Sequence, residues 1–342
     1  MNEGLEAGSA FAVYYKGQKV VDLWGGYANC EAEEPWEEET MTMVYSCTKG
    51  VSAICIAVAV ERGYLDYAQK VSHYWPEFAQ NGKENITVKQ LVNHEAGLPV
   101  LSQPVTIEIL RDRELLLKVL AESVPLWEPG TTHGYHVISY GWLLSGLLQH
   151  ADPKRRTIGQ FFREEIAKPF VVCRIDCVCM WTLISSVMCI LCSQEEVFNS
   201  YRYQSLESPG AGGIGTARGL AKLFGIIANR GEWNGKRLLS NDLVKKFTEC
   251  NEERLDEVIH IKSSFSYGMY PHAEVKGGIP FSLDRIFGHN GHGGQGSFFD
   301  ADHNLSFAYV TSKLSSFGHG GDERYMALVK STYDCLKQME TK

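Results

Sequence analysis

Ser46 and Lys49 are the two residues whose types and spacing most directly suggest chemistry. They form the one Ser-x-x-Lys sequence in the chain. Residues three apart lie on one face of an α-helix, so the Lys49 amine can reach the Ser46 hydroxyl. A serine hydroxyl becomes a nucleophile when a neighbour takes its proton, and a lysine with a lowered pKa can do so. The alternative interpretation is a serine that caps a helix beside a solvated lysine.

The residues that follow predict the element that carries this pair. The run Val51–Val60 (VSAICIAVAV) is apolar on nearly every face of a helix, and Gly63 is a typical C-terminal stop. A helix from Ser46 to Arg62 therefore has to be enclosed on all sides. We expect it to lie between a sheet and other helices.

Strand patterns stand at both ends of the chain, and helical patterns fill its middle. The runs 11–15 and 20–24 flank Lys16-Gly17, which predicts a hairpin turn. The other β-type runs are 296–299 and 305–310, and the helical runs are 86–92, 110–121, 139–150, 216–228 and 323–339. The closing helix, 323–339, is amphipathic.

This order predicts the domain organisation. An α/β domain would be built from residues 1–66 and 232–342, with an all-α domain, 67–231, inserted between them. Residues 170–200 are atypical within the helical part. Their apolar run Cys177–Cys192 is shorter than the ~20 residues that a membrane span needs, which favours a buried helix or a poorly fitting segment.

Composition and charge restrict the partners. The chain has 342 residues with a formal net charge of −8, which gives no reason to expect nucleic acid or an anionic membrane as a partner. The N-terminal residues Met1–Glu6 are acidic and have neither the basic segment nor the apolar core of a secretory signal. We therefore expect a cytoplasmic protein whose ten cysteines are reduced thiols.

A glycine-rich stretch matches a nucleotide-binding pattern only formally. Gly210, Gly212 and Gly215 form G-x-G-x-x-G, but the preceding residues 203–209 do not resemble a strand. We interpret this stretch as a flexible loop before the helix 216–228. A G-x-S-x-G nucleophile elbow does not occur in the sequence.

Two histidine pairs raise the question of a metal site. His133/His136 and His289/His292 have a spacing that suits neither a helix face nor a strand face. Histidines that form hydrogen bonds in loops are therefore favoured over a zinc site. We expect neither a metal nor an organic cofactor.

Several short motifs, taken together and in order, resemble the serine β-lactamase-related superfamily. More narrowly, they resemble its class-C-like branch, with the family VIII carboxylesterases and the eukaryotic β-lactamase domain-containing proteins. The motifs are VVDLWGG (20–26), SCTKG (46–50), HEAGLP (94–99), WEPG (127–130), GYH (134–136) and FGHNG (287–291). The resemblance implies a β-lactamase/transpeptidase-like fold, in which a mixed, mostly antiparallel sheet flanked by helices lies beside an all-α domain. The active site would lie in the crevice between them.

The same resemblance implies a role for each matching residue. Ser46 would be the nucleophile and Lys49 its base or proton shuttle. Tyr135 would share the base role and return the proton to the leaving group. His289-Asn290-Gly291 would be the third motif on a strand that lines the crevice, and the backbone N–H groups of Ser46 and His292 would form the oxyanion hole.

The sequence departs from the β-lactamase pattern at three places. Val137 stands where β-lactamases usually carry the asparagine that holds a substrate amide, and His289 replaces the lysine of the third motif. Both changes favour ester hydrolysis over lactam hydrolysis. The third departure is the stretch 171–192, which suggests an altered gene model or true divergence and, if genuine, a malformed crevice wall.

The sequence thus predicts a serine hydrolase that forms an acyl-enzyme on Ser46 and acts on small esters or amides. One alternative is a catalytically inactive scaffold or binding protein of the same fold. Another is a β-lactam hydrolase or peptidase with the same mechanism.

Overall fold

The structure is a computed structural model that describes residues 6–172, 175–176, 206–272, 285–315 and 322–340. Its strands are β1 (Gly8–Tyr15), β2 (Gln18–Asn29), β3 (Glu34–Pro35), β4 (Thr42–Tyr45), β5 (Ile175–Asp176), β6 (Gly213–Gly215), β7 (Glu232–Trp233), β8 (Lys236–Arg237), β9 (Arg254–Leu255), β10 (Lys262–Ser263), β11 (Tyr270–Pro271), β12 (Ile286–Asn290), β13 (Gly296–Asp300) and β14 (Leu305–Thr311). Most of the long strands come from the two ends of the chain, as expected.

Its α-helices are α1 (Cys47–Glu61), α2 (Val71–Tyr74), α3 (Val88–Val92), α4 (Ile107–Arg111), α5 (Arg113–Glu122), α6 (Ser139–Ala151), α7 (Ile158–Phe161), α8 (Lys168–Phe170), α9 (Ala217–Ala228), α10 (Asn241–Lys246) and α11 (Glu323–Glu340). A π-helical stretch, Phe162–Ala167, joins α7 to α8, and Pro76–Phe78 and His292–Gly294 form 3₁₀ turns. The predicted helices are confirmed with small shifts at their ends. Thr87 caps α3 through a capping box with Gln90.

A seven-stranded sheet runs in the order β11-β12-β13-β14-β1-β2-β3. Each neighbouring pair in it is antiparallel, so the described sheet is antiparallel rather than mixed. The predicted hairpin turn is confirmed, because Lys16 and Gly17 both have positive φ, 49° and 74°. Positive φ at both positions is typical of the tight turn that matches strand twist.

Helices cover the two faces of this sheet. Phe11 and Val13 of β1 pack in a cluster with Tyr325 of α11. Ala12 and Tyr14 belong to the larger cluster on the other face, where α9 packs on β1 and β14. Side chains alternate across a strand, so β1 contributes to both clusters.

Helix α1 is enclosed as predicted. Every side chain from Cys47 to Ala59 is buried, and α1 contacts α6 on one side and β12 on the other. A Cβ on Gly50 would lie 2.8 Å from the Phe224 ring and 3.5 Å from the His289 Cβ. The glycine after Lys49 therefore lets Phe224 of α9 approach the start of the helix.

Two expectations about the middle of the chain need comment. The predicted helical domain, 67–231, includes α9, yet α9 packs on the sheet. We therefore propose that the domain boundary lies before Ala217. The interpretation of the glycine-rich stretch as a loop was wrong in part, because Gly213–Gly215 is a strand that pairs with β4.

The run Cys177–Cys192 lies outside the described residues. Among those that are described, we find no helix both long and apolar enough to cross a membrane.

Candidate active site

Ser46 lies where β4 ends and α1 begins, and the backbone there is tightly held. Tyr45 has a φ of 45°, which is uncommon for a bulky residue. The Thr48 hydroxyl donates to the Tyr45 carbonyl and accepts the Gly213 N–H at 2.9 Å. Ser46 stays partly exposed between buried neighbours. Its side chain makes no capping hydrogen bond to α1, which excludes the interpretation as a helix cap.

The Lys49 amine is fully buried and has three hydrogen-bond partners. Its Nζ lies 2.6 Å from the Val137 carbonyl, 2.6 Å from the Gly210 carbonyl and 3.2 Å from the Ser46 Oγ. A neutral amine has two N–H groups and one lone pair. When the two carbonyls accept the N–H groups, the lone pair faces the Ser46 hydroxyl.

Burial also makes the neutral form of Lys49 accessible. It lowers the pKa of the Lys49 amine from 10.5 to about 7, because an ammonium loses its hydration there. The neighbouring Cys47 acts in the opposite direction and has the smaller effect on the Lys49 pKa. Burial raises the pKa of the Cys47 thiol itself to about 12, so Cys47 does not supply a thiolate at neutral pH.

Tyr135 completes a three-residue cluster. The Lys49 Nζ lies 4.7 Å from the centre of its ring, and the Ser46 hydroxyl is a hydrogen-bond partner of its phenol. Burial raises the pKa of Tyr135, and the hydrogen bond to Ser46 opposes that rise. The phenol is therefore protonated at neutral pH and can donate a proton.

Two buried histidines hold the segment that carries Tyr135. The His94 carbonyl accepts the Gly134 N–H at 3.1 Å, and the His94 Nδ1 accepts the His136 N–H at 3.0 Å. The His136 Nδ1–H donates to the Gly134 carbonyl, and its Nε2 accepts the Leu98 N–H at 2.9 Å. Burial lowers the pKa of both imidazoles, that of His136 to about 4. Both histidines therefore position the backbone as neutral rings.

The third motif lies on β12, next to the cluster. The His289 ring centre is 6.0 Å from that of Tyr135, and its Nδ1–H donates to the Asn290 carbonyl at 2.7 Å. Two tyrosines bind Asn290. The Asn290 N–H donates to the Tyr270 hydroxyl, and the Asn290 Oδ1 accepts a hydrogen bond from the Tyr325 hydroxyl. The fold thus brings His289 to Tyr135, while the Asn290 amide oxygen is engaged by α11.

Gly291 and His292 bring the end of β12 to the backbone beside Ser46. A Cβ on Gly291 would lie 2.4 Å from the Val44 carbonyl, so this position has room only for glycine. The His292 ring contacts the Tyr45 ring edge to face at 5.5 Å. This approach is what the predicted oxyanion hole requires, and the role of its two N–H groups stays a prediction.

The sequence motifs do not identify all the residues that shape the site. The Val137 and Gly210 carbonyls orient the Lys49 amine, yet a backbone acceptor leaves no signature in residue types. Asp256, which binds the Tyr135 N–H, stands in a charged stretch that looks solvated. His94 stands in the HEAGLP motif, which assigns it no role. Its environment follows from tertiary contacts with Tyr135, Tyr140 and Phe265.

The histidine pairs form no metal centre in the described part of the chain. No group of three or more His, Cys, Asp or Glu side chains there is arranged to hold a metal ion. His133 instead contacts Ser263 at 2.8 Å through its Nε2. His136 and His289 form hydrogen bonds with the Gly134 and Asn290 carbonyls.

Comparison with known proteins decides the family. The family model described as Beta-lactamase matches residues 1–174 and 190–331. The chain belongs to the beta-lactamase family. The match is interrupted at 175–189, within the segment that the sequence marks as atypical.

The similar proteins include named esterases and a penicillin-binding protein homolog. The chain is 32% identical to the Esterase/beta-lactamase LipL of Mycobacterium tuberculosis over 90% of this chain and 78% of that protein. Its structure is similar to a family VIII carboxylesterase, with a TM-score of 0.87 and 32% identity over 98% of this chain and 94% of the other. It also resembles a penicillin-binding protein homolog from Caulobacter crescentus, with a TM-score of 0.84 and 30% identity over 96% and 92% of the two chains. The predicted superfamily and fold are therefore confirmed, and the chain is a member of a family of hydrolases.

Proposed function

We propose that this protein is a serine esterase that hydrolyses small esters, and small amides more slowly, through an acyl-enzyme on Ser46. The observation that carries the proposal is the environment of the Lys49 amine. It is buried, its two N–H groups are directed to backbone carbonyls, and its remaining position faces the Ser46 Oγ. A pKa of about 7 places this base close to neutrality, where general-base catalysis is most effective.

The proposed reaction proceeds in two halves. Ser46 Oγ attacks the ester carbonyl carbon while its proton moves to the Lys49 Nζ, and a tetrahedral oxyanion forms. Tyr135 gives its proton to the departing alkoxide and is reprotonated from Lys49, so that an alcohol leaves and an ester of Ser46 remains. Water then attacks this ester with the same groups as base and acid. A carboxylic acid leaves and the Ser46 hydroxyl is restored.

Backbone donors would stabilise the oxyanion in both halves. The N–H groups of Ser46 and His292 are the proposed donors, because the end of β12 lies against the backbone that leads into Ser46. Such donors stabilise charge that develops only in the transition state. His289 is proposed to line the substrate side of the crevice, whereas the Asn290 side chain contacts Tyr325 of α11 instead.

Two residues favour esters over β-lactams. Val137 offers the site its backbone carbonyl, which Lys49 already binds, and its apolar side chain cannot hold a substrate amide. His289 replaces a fixed cation that would bind a lactam carboxylate. The names of the relatives point the same way, since LipL is described as an esterase as well as a beta-lactamase and a close structural neighbour is a carboxylesterase.

A fluorophosphonate labelling experiment tests the nucleophile. The intact mass of the purified protein is measured before and after treatment, and the labelled peptide is mapped. We expect a single adduct on Ser46 in the wild type and its loss in Ser46→Ala. Ser145→Ala is the control, because Ser145 lies within a helix and is followed three residues later by Leu148 instead of a lysine.

The same preparation distinguishes the alternatives. Absence of labelling on a folded wild-type protein would contradict the proposal and favour an inactive scaffold. Labelling with faster turnover of a chromogenic cephalosporin than of p-nitrophenyl esters would keep Ser46 as the nucleophile and reassign the substrate to β-lactams.

A further inference from the structure

The Asp256 carboxyl is fully buried beside the candidate site, and neither the motif resemblance nor the proposed reaction uses it. It lies between β9 and β10, in a hairpin formed by residues 254–263. Its Oδ1 accepts the N–H groups of Val258 and Ile259 at 2.9 and 3.0 Å, which closes the tip of the hairpin. This is a common turn arrangement for an aspartate.

The same carboxyl also binds the backbone of Tyr135. The Tyr135 N–H lies 3.0 Å from Oδ2 and 3.1 Å from Oδ1 of Asp256, across 121 positions of sequence. A second bond runs in parallel, from the Glu257 N–H to the His133 carbonyl at 3.1 Å. The hairpin is therefore attached to the segment 133–135 at two adjacent points.

The segment has little freedom to move away from this attachment. A Cβ on Gly134 would lie 2.5 Å from the Trp127 ring and 2.9 Å from the Val258 side chain. His133 is held in turn, with its Nε2 2.8 Å from the Ser263 Oγ and 3.9 Å from the Asp256 Oδ2. Tyr135 therefore enters the site from a backbone clamped between Trp127 and the hairpin.

We infer that Asp256 is a positioning residue that sets the Tyr135 phenol against Ser46 and Lys49. This inference rests on the proposed function, because it assigns a catalytic consequence to the placement of Tyr135. Asp256 does not touch the reacting atoms and acts through the Tyr135 backbone. Displacement of a catalytic group by ~1 Å can cost about 100-fold in rate, so one buried hydrogen bond can have a large effect.

Asp256→Asn separates this role from the folding of the hairpin. The asparagine oxygen can keep the bonds to Val258 and Ile259, which places its NH₂ group where Oδ2 stood. That group then faces the Tyr135 N–H, donor against donor, and this N–H keeps one acceptor, the oxygen in the place of Oδ1. We expect the repulsion to displace Tyr135 while the hairpin turn is retained.

The chain provides a matched control in Asp300. Its carboxyl is also buried, and its Oδ1 accepts the N–H groups of Asp302 and His303 at 3.0 and 3.1 Å. Its Oδ2 contacts the His303 Nδ1 at 2.7 Å and accepts from Tyr333. Asp300→Asn thus makes the same change in the same kind of turn, at the end of β13 away from Gly296 and the site.

The kinetic test uses purified full-length protein and p-nitrophenyl acetate. We expect Asp256→Asn to lower kcat by about 10- to 100-fold with KM within about twofold, and Asp300→Asn to leave both unchanged. The pH at which kcat/KM rises should stay near 7, because the Lys49 environment is intact. In a Tyr135→Phe background, Asp256→Asn should cost less than about twofold, since it acts through the missing phenol.

Two kinetic outcomes would contradict the positioning role of Asp256. Wild-type kcat in Asp256→Asn, or an equal loss in the Tyr135→Phe background, would overturn the inference. Hydrogen exchange of the Tyr135 amide gives a readout that does not depend on turnover, and it should be faster in Asp256→Asn but not in Asp300→Asn. An unchanged exchange rate of the Tyr135 amide would also overturn the inference. Absence of labelling and of turnover in the wild type would instead overturn the proposed function. The exchange rate would then still decide whether Asp256 holds Tyr135.

Discussion

Lys49 and Lys83 are two buried lysines with nearly the same surroundings. Both are 0% exposed. Lys49 donates to the Val137 and Gly210 carbonyls, and Lys83 donates to the Gln80 and Ser123 carbonyls at 2.8 and 2.6 Å.

The Nζ of each lysine also lies over an aromatic ring. The distance to the ring centre is 4.7 Å for Lys49 and Tyr135, and 5.3 Å for Lys83 and Phe78. Burial lowers the pKa of both amines, to about 7 and about 8.

The difference lies in what occupies the third position of each amine. Lys49 faces the Ser46 hydroxyl, and the ring beside it is a phenol. The ring beside Lys83 is a phenylalanine, which has no hydroxyl. Within the described ranges, no hydroxyl group is found as a hydrogen-bond partner of the Lys83 amine. A buried lysine with a lowered pKa is therefore insufficient evidence of catalysis. Under the proposed function, the adjacent serine hydroxyl and phenol distinguish the candidate catalytic lysine from a structural one.

Replacing each lysine by methionine is expected to give the largest difference between the two positions. We expect Lys49→Met to lower kcat/KM for p-nitrophenyl acetate by about 10³-fold or more, because Ser46 loses its base. Lys83→Met should keep wild-type activity and lower the free energy of unfolding by about 1–3 kcal/mol, because two buried carbonyls lose their donor. Steady-state kinetics and urea unfolding measure the two effects. A large kinetic loss in Lys83→Met would show that the two lysines do not differ as proposed.

The two buried tyrosines beside His94, Tyr135 and Tyr140, provide a second comparison between a proposed catalytic residue and a structural one. Tyr135→Phe should lower kcat by about 100-fold, because the leaving group loses its proton donor. Tyr140 is also buried and stacks on His94 at 4.4 Å, but its hydroxyl has no hydrogen-bond partner among the described residues. Tyr140→Phe should therefore leave kcat within about twofold of the wild type. Equal losses in the two variants would indicate a packing effect rather than proton transfer.

The pH dependence of kcat/KM is the smallest of the expected effects and assigns the base. Lys49 is a base only when neutral, so kcat/KM should rise about tenfold per pH unit below 7 and level off above it. Lys83→Met should retain this inflection. A wild-type inflection near 8 that disappears in Lys83→Met would assign the titration to the other lysine.

Local sequence was sufficient to predict the elements and the proximity of Ser46 and Lys49. The apolar run after Lys49 predicts a helix buried on all sides, and the spacing of Ser46 and Lys49 places both on one face of it. Helical periodicity and turn chemistry depend on neighbouring residues, so these predictions did not require the fold. The ordered motifs extended them to Tyr135 and to the strand that begins the third motif.

Sequence alone could not show which groups surround that pair. Nothing near Lys83 or Asp256 in the chain indicates burial, and both stand in stretches that look solvated. The two carbonyls that orient Lys49 come from Val137 and Gly210, 88 and 161 positions away. Desolvation and hydrogen bonding act through space, and carbonyl acceptors are common to every residue type. The folded chain alone therefore determines that the Lys49 amine is desolvated and held by two carbonyls beside Ser46.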